Sequence, residues 1–120
     1  MVKHSKYPEE VLCYLEYTKK FLKNNPDVAS DILNKYQISL SCFLDVAAAK
    51  SLANFEATGN PVLQVTDIVR ICYKLIIESN IVKLIDKGWI EVGGLNTDDK
   101  PVYQLTPEGK TNLLKKISNE

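Results

Sequence analysis

The chain contains one histidine, His4. It stands in a basic terminal stretch read as frayed, so neither a histidine-based triad nor a zinc site is expected. Cysteine is also scarce: Cys13, Cys42 and Cys72 lie far apart with no Cys-x-x-Cys spacing. An odd, scattered set does not build a disulfide framework. In apolar surroundings these residues read as small buried hydrophobes in a reducing, cytoplasmic setting; a thiol-based redox sensor is the sharper alternative. No apolar run approaches the roughly 18 residues of a membrane span. The basic start, Met1 to Lys6, leads into Glu9, Glu10 and Glu16, which interrupt any signal-peptide pattern.

Other chemistries are missing too. Gly93-Gly94 is not followed by the Gly-Lys-Ser/Thr of a phosphate loop. Asp98-Asp99 lacks the further oxygen ligands of a calcium loop. We therefore expect no enzyme, no cofactor and no metal. Neither sign of charge is in excess, with 15 basic and 15 acidic residues. That excludes a protein that coats nucleic acid by bulk charge, and leaves room for a local basic patch.

What is present is enough apolar material for a core: 45 % of 120 residues. The length fits one domain. Pro8 opens a helix, with Glu9 and Glu10 in its first turn and Val11, Leu12, Leu15, Thr18, Phe21 and Leu22 at helical spacing. Asn24-Asn25-Pro26 stops it. So apolar a helix at the edge of a small domain needs cover, from the core or from a second copy, and we expect a homodimer. Asp27 is the expected cap of a helix to about Tyr36. Gln37–Ser41 reads as a connector, with Ser39 or Ser41 capping a third helix over 41–57. Gly59-Asn60-Pro61 ends that helix.

The stretch from Thr66 to Lys110 organises the rest. Val62–Val65 is β-prone and is expected to join a small sheet. Two short helical patterns follow, Thr66–Leu75 and Ile77–Lys87, with Thr66 or Asp67 capping the first and the turn within Tyr73–Leu75. Ile77, Ile81, Leu84 and Ile85 mark the buried side of the second. Gly88 is a C′ glycine. Trp89–Val92 reads as a strand, Gly93–Lys100 as a polar loop, and Pro101–Leu105 as the return strand. Thr106 and Pro107 start a last helix to about Ser118, with Leu113, Leu114 and Ile117 inward. Helix, helix, hairpin, helix is the order of a winged helix-turn-helix. The fold class expected is mainly α with a small β-hairpin: N-terminal helices over 8–57 as scaffold and dimerisation arm, and the winged core over 62–117.

From Leu63 to Leu114 the chain resembles the MarR-type transcriptional regulators and their small SarA-like relatives. Asp67-Ile68 resembles the start of the helix before the reader. Ile81-Val82-Lys83-Leu84-Ile85-Asp86-Lys87-Gly88-Trp89-Ile90 resembles the end of the reader helix and the first wing strand. Asp98 or Asp99 with Lys100 stands where an Asp-x-Arg wing motif is common. Leu105-Thr106-Pro107-Glu108-Gly109 resembles the start of the post-wing helix. The resemblance implies a homodimer on double-stranded DNA, and a repressor acting by occupancy. A plasmid or phage replication or partition protein would share the fold.

A reader helix needs polar side chains that reach base edges while its other side is fixed in the core. The candidates are Lys74, Ser79, Asn80 and Lys83, beside Glu78. The resemblance makes Arg70, the sole arginine, a phosphate contact; otherwise it pairs with an acid such as Asp67. Lys100 on the wing and Lys110 at the last helix are further backbone candidates. For each the plain alternative is a solvated surface residue. Tyr14, Tyr17, Tyr36 and Tyr73 either line a pocket for a small-molecule effector or are large core residues. The rival class is a protein-interaction module, which an acidic or apolar face around the reader helix would favour.

Overall fold

The computed structural model describes residues 7–119. The expectations for residues 1–6, His4 among them, lie outside the described residues. Helix α1 spans Glu9–Asn24, α2 Pro26–Lys35 and α3 Leu40–Thr58. Then come α4, Val65–Cys72, continued by a π-helical turn over Tyr73–Ile77, and the short α5, Ile81–Asp86. Strands β1, Ile90–Leu95, and β2, Pro101–Leu105, form an antiparallel hairpin. Helix α6, Pro107–Leu113, tightens into a 3-10 helix over Leu114–Asn119. The architecture is mainly helical with one small hairpin. No helix among the described residues is long and apolar enough to cross a membrane.

Helix α3 is the spine. Its buried Cys42, Phe43, Val46, Ala47 and Ser51 meet α1, α4 and the C-terminal 3-10 helix. The small Ala47 allows these neighbours to come close. Ser39 caps it by accepting from the Cys42 N–H at 3.0 Å, and Gly59 closes it in the left-handed region. Helix α1 turns Val11, Tyr14, Thr18 and Leu22 inward. It leaves Leu12, Cys13 and Tyr17 exposed, so Cys13 is not the buried hydrophobe expected of it. Helix α2 begins at Pro26, which puts Asp27 in the first turn rather than at the cap.

The third partner of the hairpin is not Val62–Val65 but Ile38, which bridges to Tyr103 in parallel. The Tyr103 N–H donates to Gln37 O, and the Ser39 N–H to Tyr103 O, both at 2.9 Å. The reason is hydrogen-bond accounting. Around Val62–Val65 several backbone groups are taken by side chains. Ser51 donates to Pro61 O at 2.6 Å, Tyr14 to Leu63 O at 3.3 Å, and Asn60 Oδ1 accepts from the Val62 N–H at 3.0 Å. Helix α4 then starts at Val65 with Gln64 at its N-cap and no side-chain bond there, not with a Thr66 or Asp67 cap.

The turn between the two short helices lies at Glu78–Asn80, beyond the expected Tyr73–Leu75. Leu75 and Ile76 are adjacent and both buried. They continue the stripe of Ile68, Val69, Ile71 and Cys72 at ordinary helical spacing, and the π turn over Tyr73–Ile77 closes it. The Glu78 N–H donates to Tyr73 O at 3.0 Å across that turn. Helix α5 is consequently six residues long, about 9 Å. Of its expected buried side, Leu84 is buried and Ile81 half-buried, while Ile85 is exposed and Ile77 belongs to the π turn. Strand β1 runs through Gly93-Gly94 to Leu95, with the pairing irregular between Val92 and Leu95. The loop thus shrinks to Asn96–Lys100.

Candidate nucleic-acid interface

Helix α4 packs on α3 and leads through its π turn and the bend at Glu78–Asn80 into α5, which contacts the π turn and β1, and the hairpin follows directly. The turn is held by two side chains expected to read bases. The Ser79 hydroxyl donates to Lys74 O at 2.9 Å and so closes the π turn. Asn80 sits at φ 48° and accepts from the Lys83 N–H at 3.3 Å, capping α5. Asparagine tolerates the left-handed region because its short amide bonds locally. Both residues therefore serve the fold, which sequence spacing did not distinguish from a reading role. The outward side of α5 presents Val82, Lys83, Ile85 and Asp86, all exposed. Lys83 makes no ion pair among the described residues.

The hairpin loop is folded back onto α2. Asn96 donates to Leu33 O at 3.2 Å, and its Oδ1 accepts from the Asp98 and Lys100 N–H groups at 2.8 and 3.0 Å. The Thr97 hydroxyl donates to Asn34 Oδ1 at 3.0 Å. Lys100 keeps an exposed side chain at the end of this clamp. At the hairpin's base Lys87 Nζ lies 4.5 Å from the centre of the Trp89 ring, a cation–π contact.

Arg70 is ion-paired with Asp67 one helical turn away and remains largely exposed. It lines two grooves. One, about 360 Å³ between α3 and α4, also holds Lys50, Asn54, Asp67 and Lys74 over a floor of Leu63 and Ile71. Lys50 and Asn54 escaped the sequence reading because they sit on a helix whose apolar pattern marks it as scaffold. The other groove, about 340 Å³ between α2 and α4, has an apolar floor of Val28, Ile32, Val65 and Val69, with Tyr36 and Tyr73 on its wall. Of the four tyrosines named for an effector pocket only these two meet. Tyr14 is buried against Leu63, and Tyr17 stacks with Phe21 on α1.

Lys110 belongs elsewhere. It reaches Asp45 at 3.6 Å in a groove between α3 and α6. Burial lifts the Asp45 carboxyl above its ordinary value and outweighs the Lys110 ammonium, which pulls it down. The Leu105–Gly109 segment is a structural joint. The Thr106 hydroxyl donates to Gly88 O at 2.5 Å and accepts from the Gly109 N–H at 3.0 Å. Gly109 lies so close to Trp89 O that an added Cβ would stand 1.7 Å from it.

Arg70 and Lys74 are thus brought together, with Lys50. Lys83 and Lys100 stand on α5 and the hairpin loop, and Lys110 is separate. Between Glu78 and Lys100, Lys83, Lys87 and Lys100 face the five acids Glu78, Asp86, Glu91, Asp98 and Asp99, all exposed. Comparison with protein-family models, curated proteins and solved structures finds no match to this chain.

Proposed function

We propose that this chain is a winged helix-turn-helix protein that binds duplex DNA and represses transcription by occupying its site. The observation that carries the reading is the unit of α4, the Asn80-capped turn and α5, packed on α3 and followed at once by the β1–β2 hairpin. In this reading α5 enters the major groove with Lys83 outward, and the hairpin lies beside the backbone with Lys100 at its tip. Occupancy is by a homodimer. Support for pairing comes from α1, whose outer side exposes Leu12 and Tyr17, and whose charge runs from Glu9 and Glu10 to Lys19, Lys20 and Lys23. That gradient favours an antiparallel over a parallel partner.

The test is selection of bound sequences from a random duplex pool at about 100 mM salt, with sedimentation of the protein alone. The expected outcome is an inverted repeat with half-sites about one helical turn apart, from a dimer. No retained DNA even at low salt would sink the reading.

A second reading, a winged-helix module that docks another protein, is favoured by one observation. Val82 and Ile85 are exposed on α5, in a segment where acids outnumber bases. Under it the Val82→Asp variant leaves DNA retention at its background level and breaks association with the partner chain.

A further inference from the structure

The molecule's charge is unevenly placed. The chain is neutral as a whole. The segment containing α5 and the wing carries two more acids than bases, and the groove between α3 and α4 carries Lys50, Arg70 and Lys74 against the single carboxylate of Asp67. We propose that this groove, and not the wing, is where the phosphodiester backbone of the DNA is held, by Lys50, Arg70 and Lys74 with the Asn54 amide as an added donor. The inference rests on the duplex-DNA reading given above.

Four observations converge on it. First, the cations come from two helices that pack together, so the groove is fixed by the core beneath it and not by a loop. Second, neither Lys50 nor Lys74 has an ion-pair partner among the described residues, and Lys50 is half-buried. A partly desolvated ammonium beside two other cations gains from an anion. Third, Arg70 is oriented by Asp67 through one terminal nitrogen, which leaves other donors of its planar fork free for a phosphate. Fourth, the groove leads into α5: Lys74 O accepts the Ser79 hydroxyl, and Ser79 adjoins the Asn80 cap. Backbone contacts here would set register, and Lys83 would be left to the bases.

The experiment is fluorescence anisotropy with a labelled duplex of random sequence, titrated between about 50 and 200 mM salt. Wild type is compared with Lys50→Gln, Arg70→Gln and Lys74→Gln, and with Lys116→Gln on the C-terminal 3-10 helix as control. Circular dichroism melts establish that each variant is folded. Each groove variant is expected to lower the slope of log affinity against log salt by about 1, and the control to leave it unchanged. Arg70→Lys should keep the slope while weakening binding, because charge is retained and the fork is lost. Wild-type slopes in all three groove variants of a protein that does bind duplex would overturn the inference and leave the DNA reading intact. Absence of any wild-type binding would remove both.

Discussion

Gly109 shows how much one residue can decide. It is the point where α6 crosses the start of the hairpin, and the space for a side chain is filled by Trp89 O. Gly109→Ala should lower stability by about 2 kcal/mol in urea denaturation, as overpacking against rigid backbone does. Asn80 makes a different demand. At φ 48° it must tolerate the left-handed region and also cap α5. Asn80→Val should cost about 2 kcal/mol, and Asn80→Gly less, because glycine keeps the conformation and loses only the cap. The cysteines divide by burial. Cys42 bonds Cys72, and that bond with burial holds the Cys72 thiol well above its ordinary value. Alkylation of the folded chain near neutral pH should therefore add one group, at Cys13, with Cys42 and Cys72 labelled only after denaturation, as intact-mass measurement would show. Asp45 sets a pH dependence. Its folded pKa is raised, so the folded state keeps this proton to higher pH than the unfolded state does. The resulting stabilisation is complete below the unfolded value and is lost as pH rises through the folded one. Relative to wild type, Asp45→Asn should gain stability in thermal melts as pH rises above the ordinary carboxylate range, where the wild-type carboxyl must ionise in its half-buried site.

Among the elements, the π turn and the hairpin-loop clamp carry the most consequence. The π turn ends the apolar stripe of α4 at Leu75 and Ile76, and the chain then leaves the helix at Glu78–Asn80 before the six-residue α5. Apolar spacing over Ile77–Lys87 reads as one longer helix because periodicity does not register where the chain leaves and re-enters it. The loop clamp rests on Asn96, which bonds α2 and the loop's own backbone at once. Asn96→Ala should cost about 1–2 kcal/mol and speed amide exchange at Asp98 and Lys100, as their acceptor is lost. Retained protection there would mean that Thr97 and Asn34 hold the loop alone. The boundaries of α1, α3 and β2 were legible because each has a strong local stop: Asn25-Pro26, Gly59 and Pro101. The Leu105–Gly109 joint was legible as a helix start, but its clamp on Gly88 and Trp89 spans the hairpin and leaves no local trace.

For the whole molecule, neutrality conceals polarity. Cations gather between α3 and α4, and acids gather around α5 and the hairpin. If the dimer forms through α1, Tyr17→Lys should shift sedimentation toward monomer without lowering the melting temperature by more than a few degrees, since Tyr17 is exposed. The sequence by itself determined the helix count up to α3, the hairpin, the cap at Thr106 and the stops at Gly59 and Gly88, and it narrowed the α3 cap to Ser39 or Ser41. These depend on residues within a few positions of each other, where propensity and capping act. Only the tertiary structure decided that Ile38 completes the sheet, that Ser79 and Asn80 are used to hold a turn, and that Lys50 joins Arg70 and Lys74. Those outcomes depend on which backbone groups are already satisfied and which helices lie side by side, and both are fixed by contacts between distant parts of the chain.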